Sequence, residues 1–385
     1  MDLERYPRTA FGEGRRTLGR HGYVAYLPAP IPRRIELPAP IVRVLADAEA
    51  SLGRLAGVGG LVPNADLLIR PYLLREALSS TQIEGTQATM ADVFEVGATG
   101  GRPNADVEEV LNYIDAMQWG LSQVETMPLS ARLMRDLHRR LTAGVRGRER
   151  APGELRTTQN WIGSASSTFE TAAFVPPPPT ELARLLTDWE RFANEEAEMP
   201  LLIQNALLHA QFETIHPFLD GNGRLGRLLL VFFLIVRGRL DSPLLYLSSY
   251  LERERQAYYR ALRSIQEAGD PVPWLELFLA AVDTEARDAV GRAARIVELQ
   301  QRYRQAAADM GTANGMALVD LICENPLVTT RLVEERLGVT RPTALRLLRG
   351  LEQRGVLTAS AIGVRGQRRY EAPDMISVLS GVGPL

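Results

Sequence analysis

Residues 216–227 read HPFLDGNGRLGR, and the fold is inferred outward from this stretch. One short span supplies a histidine, a carboxylate, a glycine-rich turn and two arginines. Before it, residues 201–215 carry apolar side chains at helical spacing (Leu202, Ala206, Leu207, Phe212 and Ile215). Pro217 breaks that helix, which places His216 at its end. After the turn, residues 224–236 read as a second helix.

Gly221 and Gly223 can take backbone angles closed to other residues, so successive N–H groups can point into one concavity. A helix N-terminus behind such a turn is an anion site, because its first N–H groups lack intrahelical partners, and phosphate is the natural occupant. Arg224 and Arg227, three apart, share a helix face and can grip adjacent phosphates. Asp220 suits Mg²⁺, which usually takes one or two carboxylates beside phosphate oxygens. A neutral His216 can accept a proton from a hydroxyl, and the Asn222 amide can orient phosphoryl oxygens. The bland alternative makes His216 a helix cap and DGNG an ordinary turn. It would serve for DGNG alone but leaves the rest of the string unexplained.

The pattern His-x-Phe-x-Asp-Gly-Asn-Gly-Arg-x-x-Arg resembles the signature of the Fic family, whose members mostly move AMP from ATP onto Ser, Thr or Tyr of proteins. The resemblance implies a mainly α fold, a helical bundle with a small β-hairpin flap. It implies ATP as substrate with Mg²⁺, and a target protein bearing a modifiable hydroxyl, self-modification included. His216 is then the catalytic base and Asp220 the metal ligand. Phe218, Leu219, Asp220, Gly221, Asn222, Gly223, Arg224 and Arg227 would bind the nucleotide. In 248–262 (SSYLERERQAYYRAL) a tyrosine, with Tyr250 the choice over Tyr258 and Tyr259, would lie against the adenine. Core packing is the competing role for all three.

Composition narrows the chemistry. The chain has no lysine, so all 44 basic residues are arginine, which excludes a Walker-type loop, a lysine Schiff base and a kinase-like ATP lysine. The one cysteine, Cys323, sits in apolar text and rules out a disulfide framework. Of the four histidines, His209 reads as core, while His21 and His138 have no evident partner. A net charge of −2 argues against a broad nucleic-acid surface. Leu228–Val236 is too short for the ~20 residues that span a bilayer. The N-terminus carries no signal-like apolar stretch, so a cytoplasmic protein without membrane contact is expected.

Four regions are expected: 1–105, an irregular arm and an inhibitory helix; 106–245, the catalytic core; 246–310, a helical extension and connector; and 311–385, a winged helix-turn-helix domain. Residues 153–179 (GELRTTQNWIGSASSTFETAAFVPPPP) suggest a two-stranded flap closed by prolines, with 157–167 positioning the target hydroxyl. An extended target segment would dock there through main-chain bonds. The 286–310 helix looks like a connector with many solvated charges. In the last region Thr340, Arg341, Thr343 and Arg346 could face DNA while Leu345, Leu348 and Leu351 pack inward, and the wing would add Arg365, Arg368 and Arg369.

Upstream, Ser80-Thr-Gln-Ile-Glu84-Gly85 matches the (S/T)-x-x-x-E-(G/N) inhibitory motif of many Fic proteins. Thr81-x-x-Glu84 also fits a capping box, but helical text already runs through 67–80 and Gly85 suits a helix end. The resemblance implies that Glu84 pairs with Arg227 and occupies the γ-phosphate site, and that the same carboxylate positions water to remove AMP in some relatives. Two other readings compete: a related enzyme moving UMP, phosphate or phosphocholine, and a DNA-binding regulator with a Fic sensor core.

Overall fold

The computed structural model describes residues 3–17, 22–61, 66–144, 151–163, 166–360 and 368–380. The N-terminal arm, expected to be irregular, is a hairpin: β1 (Gly12–Arg16) pairs antiparallel with β2 (Val24–Pro28), from Gly12↔Pro28 to Arg16↔Val24. β2 is buried throughout, and Tyr26 N–H bonds to Val175 O at 3.0 Å, so the arm clamps the 153–179 segment.

Helices follow: α1 (Ala39–Leu61), α2 (Asp66–Ile83), α3 (Met90–Thr99), α4 (Ala105–Val124) and α5 (Ala131–Leu141). After the 153–179 segment come α6 (Leu182–Asn194), α7 (Leu201–Ile215), α8 (Asn222–Val236), α9 (Ser248–Arg253), α10 (Arg255–Ala268) and α11 (Val272–Ala308). The protein is mainly helical with small antiparallel sheets.

From Leu228 on α8 is apolar on every side, and Leu225 to Leu234 are all buried, which makes it the central helix of the core. Two indoles fix its neighbour α7: Trp189 donates to Leu208 O at 2.9 Å and Trp274 to Ala206 O at 2.8 Å. No helix among the described residues is long and apolar enough to cross a membrane. α2 is tied in through Glu76, a buried carboxylate that accepts from the Tyr113 hydroxyl at 2.8 Å and from Ser248 N–H at 3.1 Å.

The flap is less regular than its sequence suggests. Among the described residues its sides meet in one bridge, Ile162↔Phe174, with bonds of 2.8 and 3.1 Å. α11 runs 37 residues, roughly 55 Å at 1.5 Å per residue. It is no mere solvated connector, since Ala286, Ala289, Ala293, Ile296, Leu299 and Tyr303 are buried along it.

The C-terminal part comprises α12 (Ala313–Glu324), β3 (Leu327–Thr329), α13 (Thr330–Leu337), α14 (Arg341–Gln353), β4 (Thr358–Ser360), β5 (Arg369–Glu371) and α15 (Pro373–Ser380). The sheet order is β3-β5-β4, all antiparallel, one strand more than the expected pair. Leu347, Leu348 and Leu351 anchor α14, while Leu345, expected inside, is only partly covered. Arg369 turns onto Glu95 of α3 instead of facing outward, and Arg368 lies 3.8 Å from Glu352. Arg365 lies outside the described residues.

Candidate active site

α7 ends as its sequence requires. His216 caps it in the left-handed region (φ 49°, ψ 60°), a conformation that costs a non-glycine residue roughly 1–2 kcal/mol. Arg156 holds that turn. Its Nε donates to His216 O at 2.8 Å, its Nη2 to Ile215 O at 3.3 Å and Pro177 O at 2.6 Å, and its backbone N–H to Pro217 O at 2.9 Å. Burial, then the Arg156 charge, push the His216 imidazole down to about 4. It is neutral at pH 7 and able to take a proton.

The loop is closed by Asn222, whose Oδ1 accepts from Phe218 N–H and whose Nδ2 donates to Phe218 O, both at 2.9 Å. Its amide therefore shapes the turn, a different task from the phosphoryl orientation expected of it. Phe218 is fully buried and its ring stacks on His138 at 4.0 Å, so its side chain is part of the core. His138, which has no evident partner along the sequence, finds its partners here. Its Nδ1 accepts from Gly153 N–H at 2.8 Å, so the proton sits on Nε2, which donates to Asp220 O at 2.9 Å. Asp220 Oδ1 accepts from Gly221 N–H, and Leu219 is partly covered.

Gly221 (φ 72°) then opens α8, whose first N–H groups are the helix-start donors expected to favour an anion. A carboxylate of the chain itself lies over them. A Cβ on Gly223 would lie 2.3 Å from Glu84 Oε1, so only glycine lets that carboxylate rest over the helix start. α2 stops at Ile83, and the Thr81 hydroxyl donates back to Ala77 O and Leu78 O, which excludes the capping-box alternative. Gly85, at φ 101°, turns the chain away.

Both signature arginines are held by carboxylates. Arg227 donates to Glu84 Oε1 at 2.9 Å, to Ser80 Oγ at 2.8 Å and to Ser80 O at 2.8 Å. Arg224 lies 3.2 Å from Glu109 Oε2, a residue on α4 that no local motif marks. Burial alone would raise the Glu84 carboxyl; Arg227 outweighs it and holds the group below the usual range. The side chain keeps about a third of its surface (36%) open, so water screens part of that attraction.

A further acid, Glu213 on the last turn of α7, is half-buried with its Oε1 enclosed and lacking a hydrogen-bond partner, and burial pushes it up to about 7. Among the tyrosines, Tyr258 is core, bonded to His209 Nε2 at 2.7 Å. Glu84 and Arg227 act on the hydroxyl of half-buried Tyr259. Tyr250 instead feels Glu254, Arg253 and Glu285, with the Arg253 guanidinium 5.0 Å over its ring, so Tyr259 is the tyrosine nearer the anion site in its electrostatics. Cys323 is buried, as its apolar context suggests.

Among the described residues no group of three or more His, Cys, Asp or Glu side chains could hold a metal. One carboxylate, Asp220, beside an anion loop fits Mg²⁺ that arrives on phosphate oxygens.

Comparison with known proteins agrees with this geometry. Residues 42–122 match the Fic/DOC family N-terminal model and residues 128–234 the Fic/DOC family model. Protein adenylyltransferase Fic of Drosophila grimshawi is 32% identical over 203 residues, 51% of this chain and 38% of that protein. The Drosophila melanogaster protein of the same name is 31% identical over the same shares. The chain thus spans well under half the length of these curated relatives. A Fic family protein from Desulfovibrio desulfuricans shares the fold, with TM-score 0.58 at 21% identity over 88% of this chain and 97% of that one. A Fic domain containing signaling protein from Bacteroides thetaiotaomicron gives 0.51 at 20% identity, covering 66% and 97%. Residues 42–122 and 128–234, together just under half of the chain, are thus Fic/DOC family domains.

Proposed function

We propose that this chain is a protein adenylyltransferase that moves AMP from ATP to a Ser, Thr or Tyr hydroxyl, and that Glu84 holds it off. The hydroxyl oxygen attacks the α-phosphorus while His216 takes its proton. The bond to the bridging oxygen breaks, and pyrophosphate leaves with the electron pair. The α8 N-terminus, Arg224 and Arg227 bind the phosphates, and Tyr259 flanks the base. Mg²⁺ bound with ATP at Asp220 would neutralise phosphate charge. Residues 157–163 and 166–167 face the target segment. The names of the Drosophila relatives support this chemistry.

One observation carries the inhibitory half of the reading: the Glu84 carboxylate rests at the α8 N-terminus on Arg227, where a terminal phosphate belongs. Arg227 cannot serve both anions fully, which makes the pair a switch. The test is auto-modification with α-labelled ATP and, in parallel, α-labelled UTP. Labelling of Glu84→Gly by ATP well above wild type supports the reading. UTP labelling alone would assign a different donor, and no labelling by either removes the transferase.

A second partner is proposed for the C-terminal region, 311–385, as a winged helix-turn-helix that binds duplex DNA. Arg341, Arg346 and Arg349 are exposed on α14 beside a groove of about 790 Å³, with no ion pair among the described residues. Unpaired arginines along one helix face are the electrostatic footprint of phosphate binding. A DNA titration at low and moderate salt tests it.

A further inference from the structure

Arg156 stands out because, among the described residues, nothing anionic neutralises it. It is 3% exposed, has no carboxylate partner among the described residues, and its Nη1 is buried without a hydrogen-bond partner. A buried charge normally takes a counter-ion. Here main-chain carbonyls do the work: Ile215 O and His216 O at the end of α7, and Pro177 O at the end of the flap. The C-terminal carbonyls of a helix lack intrahelical partners and carry partial negative charge, so a guanidinium fits them.

The contacts straddle one residue. Two Arg156 nitrogens grip the carbonyls of Ile215 and His216, and its backbone N–H takes the carbonyl of Pro217. The peptide planes on both sides of the His216 Cα are thereby pinned. That is how a non-glycine residue is held at φ 49° with its Cβ in one direction. The same guanidinium brings an unneutralised positive charge close to the imidazole.

We infer that Arg156 is the positioning residue of the base: it locks the left-handed turn that aims His216, and through Pro177 it couples that turn to the flap. The inference rests on the proposed role of His216 as base. The flap connection gives it reach, because a target segment lying on the flap would press on the same side chain that sets the histidine. Two causes lower the imidazole, burial first and the Arg156 charge next, while the Glu213 backbone and the Glu84 and Asp220 carboxylates pull it the other way.

The deciding experiment reads the charge and the fork separately. His216 is followed by NMR of imidazole-labelled full-length protein over about pH 5–8, its signal assigned by loss in His216→Ala, in wild type, Arg156→Gln and Arg156→Lys. Transfer is measured in parallel in the Glu84→Gly background. The expected wild type shows His216 neutral throughout. In Arg156→Gln its midpoint should rise by about one unit, tenfold in proton affinity, and transfer should fall. Arg156→Lys keeps the charge but not the fork, so the low midpoint should stay while kcat drops and nucleotide KM holds.

A folded Arg156→Gln whose His216 titrates as in wild type overturns the electrostatic role. Wild-type kcat in Arg156→Lys overturns the positioning role. If Arg156→Gln does not fold, as judged by near-UV circular dichroism, Arg156→Lys decides alone: an unchanged midpoint with lowered kcat supports the inference, and wild-type kcat sinks it. Absence of transfer in every protein would count against the proposed function, while the NMR midpoints still decide whether Arg156 sets His216.

Discussion

Arg224 and Arg227 lie beneath the surface with Glu109 at 3.2 Å and Glu84 at 2.9 Å, whereas Arg341, Arg346 and Arg349 stand on the open face of α14 with no ion pair among the described residues. The residue type is the same, but the availability is opposite. Those two buried guanidiniums are already held by carboxylates, so a new anion enters only by displacing the old. An exposed one has no partner to lose, and its response is graded by salt. In the proposed scheme the first arrangement makes a switch and the second a sticky surface.

The sharpest way to break the first half of that contrast is to remove the base beside it. His216→Ala, in the Glu84→Gly background, should cut transfer ~10²–10⁴-fold with ATP affinity nearly unchanged. Radiolabel rates and calorimetry check the two parts, and undiminished transfer would end the assignment of His216.

Next in size is release of Arg227. A charge-assisted Arg–carboxylate bond is worth about 1.5–3 kcal/mol, and ~1.4 kcal/mol is tenfold, so Glu84→Gly should raise auto-modification roughly ten- to a hundredfold. Partial exposure of Glu84 favours the lower figure. Adding Arg227→Ala should erase most of the gain. No increase at saturating ATP would make 80–85 merely a helix end.

The exposed set should behave differently. Arg346→Ala with Arg349→Ala should weaken duplex DNA binding and flatten its salt dependence by about 0.9 in log–log slope for each phosphate no longer neutralised. Transfer should not change. A wild-type protein that ignores DNA even at low salt would show that this face serves another purpose.

The smallest effect expected is in the pH profile. The folded pKa of His216 is lowered from 6.5 to about 4, so the neutral base survives as pH falls through 6.5. Transfer should therefore show no acid limb near 6.5 between about pH 8 and 5.5, on the reasoning that activity follows the base form. The same shift acts on stability. The unfolded histidine binds a proton below 6.5 and the folded one does not, so this contribution is lost as pH falls from 6.5 toward 4. Rates and thermal melts over that range check both.

Legibility followed sequence distance. The anion loop was readable because its glycines, helix break and arginines are adjacent. Ser80–Gly85 stood out only through its resemblance to the inhibitory motif of Fic proteins, since a carboxylate at a helix end is otherwise an ordinary local pattern. Asn222 and Phe218 were placed in the loop, but only packing shows that the amide closes the turn and the ring stacks on His138. The arm was missed as a hairpin because GEGRR has no apolar alternation, and β2 is held from its other side by the flap. Helical spacing alone does not say which tyrosine meets the site, and the choice of Tyr259 over Tyr250 rests on the charges around each hydroxyl.

By itself the sequence determined that an anion loop follows a helix ending at His216, because glycine angles, the proline break and helix-end N–H groups are set within a few residues. It also determined, by having no lysine, that any phosphate clamp must be arginine and backbone. Only the tertiary structure decided which charges meet. Glu84 stands 143 positions from Arg227 and Glu109 stands 115 from Arg224, yet both pairs lie within 3.2 Å. Coulomb attraction and desolvation depend on distance and burial, neither of which is written along the chain. The neutral His216, the carboxylate over the α8 start and the Arg156 brace exist only because the helices bring those groups together.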